Sequence, residues 1–298
     1  MDNKGIFFGT NEIKHLKTAG VFTSSKSRGQ NFLVDANIPK KIAEHSGINS
    51  SNVAFEVGAG FGALTAELTG LAAHVVAVEL DRRLASILRD MFADVSNISV
   101  HEGDILKVDI NKMLEELLPK SFAQCEVHVC ANLPYNITTP AISTLVEADV
   151  FKSLTIMVQK EVAERLVARP GTSDYGAFSV FSGYHTVPEI LFDVSPECFY
   201  PRPNVTSSVL RMAIREKKFL SGEREKFFFR VVRAAFSQRR KTLVNALYSA
   251  FGSTYSKEDI SGAVCKLGLG EKVRGEMLGI DEWLQLCNYL LMILDNGQ

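Results

Sequence analysis

The chain has 298 residues, of which 46% are hydrophobic and 22% charged, and its formal net charge at pH 7 is −1. This composition is typical of a globular protein and excludes a collagen-like or an intrinsically disordered chain. The sequence contains neither the roughly 18 uninterrupted apolar residues of a membrane-spanning helix nor the N-terminal pattern of a signal peptide. We therefore expect a cytoplasmic protein with one large and one small domain.

The charges are unevenly distributed along the chain. Residues 202–241 contain twelve Lys or Arg and only three acids, a net charge of +9. Such an excess attracts polyanions and can neutralise phosphates with release of their counterions. A solvated helix face is the alternative interpretation, but the near absence of acids favours contact with a polyanion.

The cysteines predict neither a disulfide nor a metal site. Their number is odd, and they lack a CxxC spacing and histidines at metal-ligand spacing. We expect most of the five to be buried or ordinary thiols: Cys125, Cys130, Cys198, Cys265 and Cys287.

Residues 52–160 alternate short apolar runs with amphipathic helical patterns. This alternation predicts an α/β fold with a mainly parallel, twisted sheet and helices on both faces. The predicted strands are 53–57, 75–80, 98–102, 126–131 and 154–159. The predicted helices are 63–69, 82–91, 110–118, 139–147 and 160–169.

After Pro170-Gly171 the pattern changes. Two further strands are predicted, 191–194 and 205–214, on either side of a proline-rich turn, and the segments that follow have only helical periodicity: 227–236, 242–251, 257–267 and 280–294. We therefore predict three parts: an uninterpreted N-terminal extension (1–25), an α/β domain (26–218) and a small all-α C-terminal domain (219–298).

A glycine-rich segment, Glu56–Gly62, lies between the first predicted strand of the sheet and the following helix. Its glycines allow a tight turn and a close approach of a ligand to the backbone. The segment alone is ambiguous, because Gly58, Gly60 and Ala63 also fit a dinucleotide-binding fingerprint. Glu79, at the end of the next strand, suits a ribose hydroxyl in either case.

Asp104 favours an adenosine-containing ligand other than a dinucleotide. It follows the strand 98–102, where its carboxylate can accept a hydrogen bond from an adenine amine. Because ligands of open α/β sheets bind beyond the carboxyl ends of the strands, we expect Gly58, Glu79 and Asp104 to converge on one adenosine. In the alternative interpretation, Asp104 merely caps a turn or helix.

The tetrapeptide Asn132–Tyr135 follows the fourth strand and suits chemistry on a planar amine. The Asn132 side-chain oxygen and a backbone carbonyl of the Leu133-Pro134 step can accept the two amine hydrogens, and the Tyr135 ring can stack on a base. Holding the amine in a tetrahedral geometry would direct its lone pair toward a methyl donor. An Asn-X-Pro turn that only closes the strand is the alternative.

Taken together, these motifs closely resemble the ribosomal RNA adenine N6-dimethyltransferases of the KsgA type, which are related to the erythromycin-resistance RNA methyltransferases. The resemblance covers nearly the whole chain. The segments that carry it are Gly29–Leu33, Glu56–Gly62, Glu79, Gly103-Asp104, Asn132–Tyr135, Phe199–Ser207 (Phe-x-Pro-x-Pro-x-Val-x-Ser) and Arg239–Asn245.

The resemblance implies a Rossmann-like class I methyltransferase that uses S-adenosylmethionine. Its implied reaction is dimethylation of two adjacent adenosines in a hairpin loop near the 3′ end of small-subunit RNA, within a pre-30S particle. We expect a monomer without metal. The implied cofactor contacts are Asn31, Leu33, Gly58, Glu79, Asp104 and Asn132. The implied catalytic set is Asn132, Leu133, Pro134, Tyr135 and Phe199, with Phe199 as a second aromatic face for the flipped base. The implied RNA contacts are Arg239, Arg240 and Lys241, although a helix cap is an alternative for this basic segment.

Three other functions are weighed against this one. An erythromycin-resistance type enzyme would methylate one adenosine of large-subunit RNA with similar core motifs, but Phe199–Ser207 and the long helical C-terminus favour the small subunit. A non-catalytic assembly or transcription factor would keep the fold, and the intact Asn132–Tyr135 segment argues against it. A nicotinamide oxidoreductase would explain neither that segment nor the basic one.

Overall fold

The computed structural model describes residues 9–18 and 30–296, and the chain divides into two compact units. The first unit comprises Met1–Ala163 with Glu189–Ile214, and the second comprises Glu164–Pro188 with Arg215–Gln298. Of the predicted N-terminal extension, the described part is helix α1, Thr10–Thr18. Gly29, the first residue of one resemblance motif, lies outside the described residues.

The first unit is built around a sheet of seven strands, in the order β4-β3-β2-β5-β6-β9-β7. These strands are β2 (Val53–Val57), β3 (His74–Glu79), β4 (Ile98–Glu102), β5 (Val127–Asn132), β6 (Phe151–Gln159), β7 (Thr186–Val194) and β9 (Ser207–Ile214). A separate antiparallel pair joins two short strands, β1 (Phe32–Leu33) and β8 (Phe199–Tyr200).

The sheet is parallel from β4 through β6, and β9 joins β6 in the antiparallel direction. All residues of the central strands β2 and β3 are buried, as expected for parallel strands covered on both faces. The carboxyl ends of β2 to β6 therefore lie at one edge of the sheet. The amino end of β9 lies at the same edge, because Ser207 pairs with Gln159. The predicted mainly parallel α/β fold is confirmed.

Helices connect the strands of the first unit. They are α2 (Asn37–His45), α3 (Ala63–Leu71), α4 (Arg82–Met91), α5 (Ile110–Leu117) and α6 (Thr138–Glu147), and α7 (Lys160–Val167) follows β6 directly. Aspartate side chains cap the N-termini of two of these helices. Asp81 accepts a hydrogen bond from the Arg83 N–H (2.9 Å) at the start of α4, and Asp109 accepts one from the Lys112 N–H (3.1 Å) at the start of α5. The α4 bounds equal the predicted ones.

The second unit contains the helices α8 (Ala177–His185), α9 (Gly222–Phe236), α10 (Leu243–Phe251), α11 (Lys257–Cys265) and α12 (Ile280–Asn296). Its apolar core includes Trp283, Phe228 and Tyr184, which are almost completely buried. Among the helices of the described residues, none is both long and apolar enough to cross a membrane.

The two units differ from the predicted domain division at residues 164–188 and 215–218. Residues 164–188 were assigned to the α/β domain, whereas the structure places them with the C-terminal helices. Tyr175 explains this placement, because its hydroxyl donates a hydrogen bond to the Leu278 carbonyl (2.7 Å) and its ring lies in the core of the second unit. The second unit therefore begins within α7 and takes up the chain again at Arg215, four residues before the predicted boundary.

Candidate active site

The glycine-rich turn after β2 requires left-handed backbone. Gly58, Gly60 and Gly62 have φ values of +73°, +59° and +78°, which side-chain-bearing residues rarely adopt. A Cβ atom at Gly62 would also lie 2.8 Å from a ring carbon of Phe92. The turn therefore depends on glycine for its conformation and, at Gly62, also for space.

Glu79 ties this turn to the end of β3. Its two carboxylate oxygens accept hydrogen bonds from the Gly60 N–H (2.9 Å) and the Asp81 N–H (2.8 Å). The side chain is 5% exposed, and burial raises the pKa of Glu79 although these two backbone hydrogen bonds oppose the shift. A carboxylate oxygen can accept more than one hydrogen bond, so Glu79 retains capacity for a ligand hydroxyl.

Glu56 lies deeper, at the base of the same turn. It is 2% exposed, and its carboxyl accepts a hydrogen bond from the Thr65 hydroxyl (2.6 Å). Burial raises the pKa of Glu56 to about 8, the Thr65 hydrogen bond opposes this shift, and the nearby charge of Glu79 adds to it. Glu56 is therefore mostly protonated at neutral pH, which avoids two buried negative charges side by side.

Asp104 has a structural contact as well as a place in the site. Its carboxylate accepts a hydrogen bond from the Leu106 N–H (3.1 Å), and the Lys107 ammonium lies 3.5 Å away. The turn-capping interpretation is thus correct for one oxygen. The residue also lines the cavity described below, so the cap and a ligand contact are compatible.

The Asn132–Tyr135 segment leaves β5 toward α6. The Asn132 side-chain NH₂ donates to the Asn31 carbonyl at 3.4 Å, which leaves the side-chain oxygen as an acceptor. The Pro134 carbonyl accepts from the Ile137 N–H and the Thr138 hydroxyl, both at 3.1 Å, and these bonds form the start of α6. Of the two carbonyls beside the Leu-Pro bond, Leu133 is therefore the better candidate acceptor for a substrate amine.

One cavity at the carboxyl edge of the sheet brings the predicted residues together. Every predicted cofactor residue lines it, and so do three further members of the predicted catalytic set: Asn31, Leu33, Gly58, Glu79, Asp104, Asn132, Leu133, Pro134 and Tyr135. The convergence of the glycine turn with the acids at two strand ends follows from the parallel order of β2, β3 and β4.

Several apolar cavity residues were not predicted. Leu80 and Ile105 each follow one of the two predicted acids, and Phe32 and Phe61 contribute aromatic rings whose centroids are 4.7 Å apart. Leu80 is 53% exposed, unusual for a leucine at a cavity. The signal that could have identified Leu80 and Ile105 is their position directly after the residues already selected at strand ends.

Phe199 lies elsewhere. It is 3% exposed, belongs to the apolar core that also contains Val194 and Val209, and is not one of the described residues that line the cavity. Its strand β8 pairs with β1, with Phe199 opposite Leu33. In this structure the predicted second aromatic face is therefore part of the core, and its contact with a base stays a prediction.

The three predicted RNA contacts lie in the second unit and differ in their environment. Arg239 donates hydrogen bonds to the Ser173 carbonyl (2.7 Å) and the Tyr175 carbonyl (3.2 Å). Arg240 and Lys241 are exposed. Arg239 is also exposed, but its guanidinium is bonded to the loop before α8, so the basic motif contains one surface residue with a structural contact and two further exposed cations.

The cations of the +9 segment are divided between the two units. Arg202 and Arg211 belong to the first unit and the remaining cations to the second. Arg202 forms an ion pair with Glu197, and Lys226 forms one with Glu223. These two ion pairs neutralise part of the excess positive charge locally.

Metal chemistry is not indicated by the described part of the chain. Within it, no group of three His, Cys, Asp or Glu side chains could hold a metal ion. All five cysteines are free thiols. The cavity is lined by carboxylates, side-chain amides, backbone groups, and aliphatic and aromatic side chains.

Comparison with known proteins identifies the family. A family model described as ribosomal RNA adenine dimethylase matches residues 21–291. The chain belongs to the ribosomal RNA adenine dimethylase family. It is 41% identical to ribosomal RNA small subunit methyltransferase A of Oceanobacillus iheyensis, over 90% of each protein. It is 43% identical to the protein of that name from Moorella thermoacetica, over 89% of this chain and 92% of the relative.

Solved structures agree with this family. A dimethyladenosine transferase from Plasmodium falciparum has a TM-score of 0.72 and 26% identity, over 89% of this chain and 98% of the other. The 23S rRNA methyltransferase ErmE has a TM-score of 0.65 and 26% identity, over 87% and 99%. The predicted family and the predicted class of enzyme, an adenine methyltransferase acting on ribosomal RNA, are confirmed. The nicotinamide oxidoreductase alternative is wrong.

The buried Glu56 carboxyl predicts a specific pH dependence of stability. Its folded-state pKa of about 8 lies above the ordinary 4.5, so its contribution is complete below pH 4.5 and is lost as the pH rises through 8. Glu56→Gln should remove this loss, which is worth ~1.4 kcal/mol for each unit of pKa shift. In urea unfolding from pH 4.5 to 9, the free energy of unfolding of the variant should increase relative to that of the wild type as the pH rises. Parallel profiles would show that Glu56 ionises normally in the folded protein.

Proposed function

We propose that this enzyme dimethylates the N6 amines of two adjacent adenosines in a hairpin loop near the 3′ end of small-subunit ribosomal RNA, with S-adenosylmethionine as methyl donor. The substrate is the RNA within a pre-30S particle, which places the enzyme in the cytoplasm and gives it a role in small-subunit biogenesis. It acts as a monomer. The observation that carries the proposal is the meeting of Glu79 and Asp104 with Asn132–Tyr135 at one cavity.

Sequence identity favours the small subunit over the large one. The relatives named small subunit methyltransferase A are 40–43% identical over at least 89% of the chain. The 23S enzyme is 26% identical, the same value as the dimethyladenosine transferase. The fold itself therefore does not distinguish the two substrates, and the higher identity supports the small-subunit reaction.

The residues at the cavity fit S-adenosylmethionine. Glu79 suits the ribose hydroxyls and Asp104 the adenine amine, while the half-exposed Leu80 and the neighbouring Ile105 offer apolar contacts to the adenine ring. Asn31, directly before β1, and Leu33, on β1, line the same cavity. When bound, the cofactor supplies an electrophilic methyl group on a sulfonium.

The chain's own groups orient the target amine. The Asn132 side-chain oxygen and the Leu133 carbonyl accept its two hydrogens, and the Tyr135 ring stacks on the base. This arrangement localises the nitrogen lone pair in the direction of attack, an interaction that strengthens toward the transition state. Because the nitrogen becomes positively charged as the new bond forms, its proton is then acidic and leaves without a strong base.

The decisive experiment supplies labelled S-adenosylmethionine with unmethylated small subunits, large subunits or protein-free RNA, and then maps the modified bases. We expect two neighbouring dimethyladenosines confined to small-subunit RNA. Label in large-subunit RNA would replace this proposal with the resistance-type reaction. Binding of small subunits and cofactor without transfer would indicate an assembly factor.

Asn132→Ala should lower the turnover number by about 10²–10³-fold, because it removes an acceptor that acts on the reacting amine. Asn111→Ala is a matched control, since Asn111 also donates one hydrogen bond to a backbone carbonyl (Ala148, 3.4 Å) but lies on α5. Both variants should unfold at similar urea concentrations. Wild-type turnover in Asn132→Ala would remove this residue from the catalytic set.

The basic motif of the second unit should separate into two roles. Changing Arg240 and Lys241 together to Gln should weaken binding to small subunits and reduce the slope of log K against log salt by about 1–2, because each phosphate contact contributes roughly 0.7–0.9. Arg239→Gln should instead lower the free energy of unfolding by about 1 kcal/mol, through the loss of its hydrogen bonds to the loop before α8. A salt slope that stays unchanged in the double variant would exclude this motif from the RNA interface.

A further inference from the structure

Ser207 is a buried hydroxyl that meets the site from a distant part of the sequence. It is 0% exposed, and its Oγ lies 2.6 Å from the phenol oxygen of Tyr135, 72 residues away along the chain. The residue ends the Phe199–Ser207 motif, in which the family resemblance implies a catalytic role only for Phe199. Its partner is the aromatic ring of the Asn132–Tyr135 segment.

The direction of β9 explains why this residue can reach the site. In a parallel strand, only the carboxyl end would lie at the cavity edge. Because β9 runs antiparallel to β6, its first residue, Ser207, lies opposite Gln159, the last residue of β6. The hydrogen bond from the Lys160 N–H to the Thr206 carbonyl (3.0 Å) fixes the strand at this point. Ser207 is thus held by the backbone of a central strand and has little freedom to move.

The alternating side-chain directions along β9 give Ser207 and the adjacent Ser208 different surroundings. Successive side chains of a strand point to opposite faces, so Ser207 and Ser208 have different partners. The Ser208 hydroxyl donates to the Asp193 carboxylate (2.7 Å), which also pairs with Lys160 (2.6 Å). Both serines are completely buried, but only Ser207 contacts Tyr135.

We propose that Ser207 is a positioning residue for methyl transfer, which fixes the Tyr135 ring through the hydrogen bond between the two hydroxyl groups. This inference rests on the proposed function. A phenol held at its far end is restricted in rotation and depth, and the ring that it carries sets the plane of the stacked base. A fixed plane keeps the target amine in line with the methyl donor.

The protonation state of the Tyr135 phenol is consistent with this role. Burial raises the pKa of Tyr135 above its ordinary value of 10.0, and the hydrogen bond with Ser207 opposes the shift. The phenol is therefore neutral at physiological pH, and the partly buried hydroxyl has the hydrogen-bond partner that such a group requires. Ser207 acts through Tyr135 and does not itself contact the base.

A double-mutant cycle tests the proposal with small subunits as substrate. Ser207→Ala and Tyr135→Phe each remove the same hydrogen bond and keep the ring, so each should lower the turnover number about tenfold, the effect expected for one lost side-chain hydrogen bond. The double variant should be no slower than the slower single one. The KM for small subunits should change less than twofold. Ser208→Ala, the matched control, should keep wild-type turnover.

A spectroscopic measurement separates positioning from loss of structure. In protein labelled at the tyrosine ring carbon that carries the hydroxyl, Tyr135→Phe identifies one of seven resonances. Ser207→Ala should shift that resonance, and Ser208→Ala should not. Urea unfolding of each variant shows whether the fold is retained.

Two results would overturn the inference. The first is an equal loss of turnover from Ser207→Ala in the wild-type and Tyr135→Phe backgrounds, which would mean that Ser207 acts independently of the phenol. The second is full turnover in Ser207→Ala. A wild-type enzyme that does not methylate small-subunit RNA would instead refute the proposed function, and the resonance shift would still report the contact.

Discussion

The parallel pairing of β2 with β3, and of β3 with β4, is the constraint on which the site depends. It brings three strand ends to one edge, so that the turn after β2, Glu79 at the end of β3 and Asp104 after β4 surround one cavity. The hydrogen bond from the Gly60 N–H to Glu79 then joins two of these ends directly. A shift of one residue in either pairing would turn the side chains of the shifted strand to the opposite face of the sheet. The acids would then no longer meet at one cavity.

Burial of two carboxyl groups at this site costs free energy, and local hydrogen bonds offset part of that cost. Glu56 and Glu79 are both nearly inaccessible to water, and burial raises both pKa values. Backbone N–H groups stabilise the ionised form of Glu79, whereas Glu56 has only the Thr65 hydroxyl. The two acids are therefore unequal: backbone hydrogen bonds favour the charged form of Glu79, whereas burial holds Glu56 mostly neutral.

The sequence was sufficient for features that depend on local pattern, and insufficient for those that depend on long-range packing. The bounds of β2 and α4 were predicted without error because a fully buried run and a clear amphipathic period are local signals. Helix α8 was missed, since its segment Ala177–His185 is mostly apolar and uncharged and lacks a clear polar face. The contacts of Ser207 and Arg239 span 72 and 64–66 residues, and no local pattern encodes them.

The prediction of site residues had the same limit: positions set by a local pattern could be found, and positions set by long-range packing could not. Gly58, Glu79, Asp104 and Asn132 could be selected because each lies where a predicted strand ends, and ligands of open α/β sheets bind at the carboxyl ends of the strands. Asn31 and Leu33, which line the same cavity, came only from the family resemblance. Phe199 could not be placed by this rule, because it lies on a short strand outside the main sheet, in the pair with β1. Its motif indicated importance, but the structure shows that Ser207 at the other end of the motif is the residue in contact with Tyr135.

This chain shares its fold with a 23S enzyme over 87% of its length. The fold that supports the chemistry therefore does not determine which RNA is methylated. A cavity that holds one cofactor and one adenosine cannot distinguish ribosomal subunits, because every candidate adenosine presents the same atoms to it. Specificity must therefore come from surfaces that contact RNA outside the target nucleotide. Among the predicted RNA contacts, Arg240 and Lys241 are exposed on the second unit, whereas Arg239 is engaged in its loop. Under the proposed function, residues at the strand ends of the first unit carry out the chemistry, and surface residues outside the cavity select the RNA.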